Sequence, residues 1–290
     1  MGSRDGFAGL HPLVNFAFFF VAIGFAMFLM HPICLGISLF CAVAYRVRLS
    51  ASKMLKLWYL LPMAIFAGAM NPLFNHRGAT ILAYLPVGNP ITLESVAYGF
   101  AAAGMIVTVI IWFSCFNDVV TSDKIVYLFG RVAPALSLIL AMVLRLVPRF
   151  MAQAKVVAGA QKNIGRDITG GNLLHRAKCG LKILSILTTW ALENSIETAH
   201  SMKGRGYGLP SRTAFSIFRL ETRDVWALVY ICICAAVVMA GAWSGLYHVS
   251  YFPTMEWGGT GAVVIFAAYF ALLMFPMGAS CFITKFNWGV

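Results

Sequence analysis

Residues 94–116 read ESVAYGFAAAGMIVTVIIWFSCF, and after Glu94 no formal charge appears until Asp118. Coiled as a helix at 1.5 Å per residue, such a run extends about 34 Å, enough to cross a hydrocarbon core about 30 Å thick. The rest of the chain is similar in character. Of its 290 residues, 60% are hydrophobic and 11% charged, with a mean hydropathy of +0.82. A soluble domain carries roughly 45–50% apolar and about 25% charged residues. No soluble core absorbs that surplus, whereas a bilayer solvates apolar side chains on every face of a spanning helix. The fold expected is an all-α integral membrane protein, a multi-span bundle of transmembrane helices.

Working outward, residues 12–30 form a second clear span, with no small-residue cleavage site to mark them as a removable leader. Residues 33–45, after the His31-Pro32 break, form a shorter segment, tilted or re-entrant. A basic loop carrying Arg46, Arg48, Lys53 and Lys56 leads to a span over 54–70. Asn71-Pro72 then opens an external loop punctuated by Gly78, Pro86, Gly88, Asn89 and Pro90. Downstream of the quoted run, Asp118, Ser122, Asp123 and Lys124 end the helix. Residues 124–150 are apolar yet contain Arg131, Pro134, Arg145, Pro148 and Arg149, which suits an interfacial or hairpin-like segment. Two polar helices follow, 149–164 and 176–203, separated by the turn signals Asp167, Thr169, Gly170, Gly171 and Asn172. Spans over 225–247 and 258–277, joined by an external loop with Pro253 and Glu256, complete the chain. Three regions result: N-terminal transmembrane helices over 1–123, an interfacial and long-helix region over 124–224, and C-terminal transmembrane helices over 225–290.

The net charge of +12 is unevenly placed. Cations crowd the 46–56 loop and the stretch 145–223, whereas Arg77 stands alone between Asn71 and Thr92 and none lies between His248 and Trp257. Lysine and arginine retained beside spans on one face are the mark of a cytosolic side. This puts the two polar helices in the cytosol and argues against nucleic acid as partner. It also requires 124–150 not to cross the membrane once, since a single crossing would carry the basic region outside.

Catalytic and metal-binding patterns are missing from the sequence. The six histidines, His11, His31, His76, His175, His200 and His248, show no ligand spacing. The seven cysteines form no CxxC pair and sit almost entirely in apolar runs, as small buried hydrophobes. Neither a GxxxxGK[ST] phosphate loop nor a GxSxG elbow occurs. Glu193 and Glu197 are four apart, on one helix face, and read as salt-bridge partners for a neighbouring helix or another protein. The chain is expected to bind no cofactor and to be no enzyme. A stand-alone secondary transporter or channel is the alternative reading, but it calls for charges deep within spans.

The most pointed local feature closes the second polar helix: Ser201-Met202-Lys203-Gly204-Arg205-Gly206-Tyr207-Gly208. Glycines there stop the helix and admit a second backbone, and a cation is favoured at a helix C-terminus by the dipole. The planar guanidinium of Arg205 is suited to fork onto a carboxylate or onto helix-end carbonyls of a partner. The first helix ends in a weaker copy, Gly165-Arg166-Asp167. From spacing alone, ordinary capping explains these residues as well as docking does.

At these residues the chain resembles the transmembrane T component of energy-coupling factor transporters, the EcfT/CbiQ-like family that includes the membrane subunit of cobalt uptake systems. That family carries two Ala-Arg-Gly-like motifs at the ends of two cytosolic coupling helices. They match Gly165-Arg166-Asp167 and Gly204-Arg205-Gly206, with Ala160-Gln161, Glu193, Ala199, Met202 and Tyr207-Gly208 nearby and Arg145-Leu146-Val147-Pro148 leading into the first helix. Glycine replaces alanine in both motifs, and Asp167 replaces glycine in the first, where it can pair with Arg166. The resemblance implies two long cytosolic coupling helices docked through Arg166 and Arg205 on two ABC-type ATPase subunits that hold ATP and Mg. It also implies a small membrane S component that binds a vitamin or metal ion, and a place in a prokaryotic plasma membrane. The small residues Gly99, Ala101, Ala102, Ala103 and Gly104 suit either a face for the S component or internal helix packing.

Overall fold

A computed structural model describes residues 6–75, 78–84, 90–166, 170, 172–209, 218–245, 249–252, 256–257 and 263–286. In chain order the helices are α1 (Pro12–Phe28), α2 (Pro32–Leu55), α3 (Leu60–Phe74), α4 (Leu93–Val119), α5 (Ser122–Val132), α6 (Pro134–Asn163), α7 (Leu173–Gly204), α8 (Thr222–Trp243) and α9 (Val263–Phe286). Two small antiparallel hairpins accompany them: β1 (Ile81–Tyr84) with β2 (Pro90–Thr92), and β3 (Val249–Ser250) with β4 (Glu256–Trp257). The helices fall into two compact units, Met1–Thr121 with Phe218–Val290, and Ser122–Ile217. Among the described residues five helical stretches are long and apolar enough to cross a bilayer: Pro32–Ser50, Leu93–Val119, Ala135–Asn163, Thr222–Trp243 and Val263–Cys281. The protein is an all-α, multi-pass membrane protein.

In the first unit, α1 and α2 begin alike, with His-Pro. Proline at the first helical position has no N–H to satisfy, so the next amide is the first donor in need of a partner. The amide of Leu13 donates to His11 Nδ1 and that of Ile33 to His31 Nδ1, each at 3.2 Å. Burial lowers the pKa of His31 from its ordinary value, in keeping with the acceptor role that the Ile33 amide gives Nδ1. The amide of His11 donates to Asp224 Oδ1 at 3.2 Å, and Asp224 also closes the capping box that starts α8. Around Phe7 a buried aromatic core forms: Phe18, Tyr45 and Phe275 meet its ring edge-on, and Trp112 donates from Nε1 to Ser38 Oγ at 3.1 Å.

Two expectations are corrected here. Residues 46–49 are not loop: α2 runs on to a break at Ser50, so the segment read as short from 33–45 is a span of full length. Arg46 is only 3% exposed. It pairs with Asp118 at 2.5 Å and donates to the Ser114 carbonyl, while Arg48 donates to the carbonyl of Met277. A charge in a helix end is tolerated when a partner meets it, and Asp118, 72 residues away in sequence, does so. Second, Asn71 and Pro72 lie inside α3, and the loop opens only at Asn75. Of the two readings left open for the small-residue run, internal packing accounts for Gly99 and Ala103. They face Gly68 of α3, and a Cβ on Gly99 would collide with the Gly68 carbonyl oxygen. The small-residue stripe therefore serves close approach of α3 to α4 at these positions, rather than a partner.

The loop after α3 folds back as the β1–β2 hairpin and is pinned to the start of α4. The buried Glu94 accepts from the Thr80 hydroxyl at 2.8 Å and from its amide, and Ser95 Oγ donates to the Asn75 carbonyl at 2.6 Å. In the second connection Glu256 lies in β4, whereas Pro253 falls outside the described residues. Cys34, Cys41, Cys115 and Cys179 are buried as expected of small hydrophobes; Cys232 and Cys281 are exposed.

In the second unit, α5 and α6 form a helical hairpin held by Ser137 Oγ donating to the Val126 carbonyl at 3.0 Å. The expected division of an interfacial segment ending at 150 from a polar helix starting at 149 is not observed. The helix α6 is continuous through Pro148, whose cost to an interior turn is offset by the packing of Phe150 and the residues beyond it on α7. The second long helix, expected over 176–203, spans Leu173–Gly204 and starts on an Asn172 side-chain cap at 2.8 Å.

Candidate functional site

The candidate site lies at the ends of α6 and α7, and its geometry follows from the helices that carry it. Phe150, Ala154, Val157 and Ala158 recur at three- and four-residue spacing on α6 and pack against Ile183, Ile186 and Leu187 of α7. The Phe150 ring meets Trp190 edge-on at 5.2 Å, and the guanidinium of Arg149 lies over the same indole, 5.7 Å from its centre. Such a cation–aromatic contact contributes about 0.5–1 kcal/mol at an exposed site. Trp190 was not singled out in the sequence and Arg149 was read only as a charge of the 124–150 segment; nothing in their spacing, 41 residues apart, marks them as partners.

Both helices end in the same backbone device. In α7 the cap residue is Arg205, followed by Gly206 at φ +79°. The Gly206 amide donates to the Lys203 carbonyl and the Tyr207 amide to that of Met202, both at 3.0 Å. In α6 the cap residue is Ile164, followed by Gly165 at φ +80°. The Gly165 amide donates to the Lys162 carbonyl at 2.9 Å and the Arg166 amide to that of Gln161 at 3.0 Å. These paired bonds define a Schellman motif, which needs a left-handed residue just past the cap. The glycine that matters is therefore Gly206 in one helix and Gly165 in the other.

This geometry sets the two arginines apart. Arg205 occupies the cap itself, on the helix end, whereas Arg166 stands two positions later, beyond the left-handed turn. The residue geometrically equivalent to Arg205 is Ile164, which is 69% exposed. Pairing the two Gly-Arg steps by sequence thus puts different backbone positions in register. Gly204 is the last helical residue of α7, with open space around it, so its lack of a side chain answers no local requirement. Asp167, the expected local partner of Arg166, falls outside the described residues.

Arg166, Arg205 and Tyr207 are exposed, and among the described residues no side chain partners either guanidinium. Glu193 and Glu197 are likewise exposed, and among the described residues neither is in an ion pair. Gln161 keeps a buried side-chain oxygen without a partner beside the α6 cap. No three metal-ligating side chains gather among the described residues.

No family model matches the chain. Among curated proteins, the energy-coupling factor transporter transmembrane protein EcfT of Lactobacillus helveticus is 29% identical over 105 residues, covering 36% of this chain and 38% of the relative. The protein of the same name from Staphylococcus aureus is 30% identical over 112 residues, 38% of this chain and 42% of the relative. That of Lactococcus lactis subsp. cremoris is 31% identical over 110 residues, 38% of this chain and 41% of the relative. The match spans about two fifths of the length of these relatives. Over that stretch the chain is EcfT-like, similar to the transmembrane component of energy-coupling factor transporters.

Proposed function

We propose that this chain is the transmembrane coupling component of an energy-coupling factor importer in a prokaryotic plasma membrane. In this reading α6 and α7 are coupling helices on the cytosolic side, and their ends engage two ABC-type ATPase subunits that bind ATP and Mg and hydrolyse the nucleotide. A small S component in the membrane binds the transported vitamin or metal ion. The chain itself performs no chemistry. It carries motion from the ATPases to the S component, which requires contacts that differ between two states of the assembly.

The observation that carries the proposal is Arg205: an exposed guanidinium set on the cap of a 32-residue helix, held by a Schellman turn. Such a turn fixes the direction of the chain and leaves the arginine at the negative end of the helix dipole, poised for a carboxylate or carbonyl of another protein. Similarity to relatives named as transporter transmembrane proteins supports the same reading.

Replacing Arg205 by glutamate tests it. Removing one partner of a desolvated charge pair costs about 2–5 kcal/mol, so the ATPases should no longer co-purify with a chain that remains inserted and helical. Retained co-purification with full uptake would contradict the assigned contact. Arg166→Glu should cost less, because Arg166 lies beyond the turn rather than on the helix end. Should it prove the more damaging of the two at equal expression, the ranking is wrong.

A further inference from the structure

Along α7 the residues Leu174, Ala177, Leu181, Leu184, Thr188 and Leu192 recur at spacings of three and four, so they line one face. The leucines of that face are 59–69% exposed, while Cys179, Ile183 and Leu187 on the opposite face are buried, the last two against α6. The helix α6 carries its own continuous stripe. Leu136, Ile139, Val143 and Val147 continue at the same spacing into Phe150, Ala154 and Val157, and α7 covers only the latter part. Because α7 sits on that stripe, its outer leucine face points the way the uncovered half of α6 points. The second unit therefore presents one stepped apolar surface.

The charge beside this surface is segregated. The first half of α7 flanks it with Lys178 and Lys182, both exposed, and holds no acid. Both acids of the helix, Glu193 and Glu197, come in the second half. An apolar stripe flanked by lysines suits the boundary of a bilayer, where leucines enter the acyl region and ammonium groups meet anionic headgroups. A stripe flanked by glutamates does not.

We propose that the first half of α7 rests on an anionic lipid surface, with Leu174, Leu181 and Leu184 inserted and Lys178 and Lys182 on the headgroups. This goes beyond the coupling role and does not depend on Arg205. The test uses the full chain in vesicles of mixed zwitterionic and anionic phospholipid, with a fluorophore on Leu181→Cys in a background whose native cysteines are replaced. Bromine is placed on the acyl chains of either the anionic or the zwitterionic lipid. Brominated anionic lipid should quench more than the zwitterionic at equal mole fraction. Lys178→Glu with Lys182→Glu should weaken that preference at least about fivefold per lysine, and Lys→Arg at both positions should retain it. Equal quenching by the two lipids, or a preference unmoved by the charge reversal, would overturn the proposal. So would the absence of quenching by either lipid, which would mean that protein or water covers the face.

Discussion

Glycine at 206 and glycine at 204 answer different demands, although they flank one arginine. Gly206 adopts φ +79°, and an added Cβ would meet Leu209 at 3.1 Å; Gly204 is helical and open. Alanine at 206 should therefore cost about 1–2 kcal/mol, while alanine at 204 should stabilise the last turn by about 0.5–1 kcal/mol. Hydrogen exchange of the final amides of α7 reads both. They should exchange roughly tenfold faster in Gly206→Ala and more slowly in Gly204→Ala. Equal effects of the two substitutions would show that the cap is not the motif described. Arginine 205 depends on that cap for its direction, so Gly206→Ala should also weaken ATPase binding without touching the guanidinium.

At the scale of elements, the approach of α3 to α4 is set by one glycine. In Gly99→Ala the new methyl would meet a backbone carbonyl that no rotamer change removes, so the helices must separate, at about 1–3 kcal/mol. Gly104→Ala, on the same helix but in open space, should leave thermal unfolding in detergent unchanged or slightly improved. A Gly99→Ala protein that melts with the parent would contradict the packing. The long helices were legible in the sequence because an apolar run of span length has few other solutions, and α4, α7 and α8 follow the expected bounds closely. The reading failed where a partner distant in sequence decides the outcome. Arg46 belongs to α2 because Asp118 meets it, and the run through Pro148 stays helical because Phe150 and its stripe pack on α7. The candidate site was half legible. The arginines and glycines stand out by type, but which glycine turns the chain depends on backbone angles that spacing does not encode.

On the scale of the whole molecule, the proposed coupling role requires the second unit to face the compartment that holds ATP. The bias of lysine and arginine toward residues 145–223 and their scarcity at 71–92 and 248–257 motivate that sidedness. Its most direct measurement is labelling of intact cells with a membrane-impermeant maleimide, on single cysteines placed at His200 in α7 and at Glu256 in β4. Glu256→Cys should label from outside and His200→Cys only after the cells are opened. Labelling of His200→Cys in intact cells would put α6 and α7 beyond reach of any ATPase and contradict the proposed coupling role.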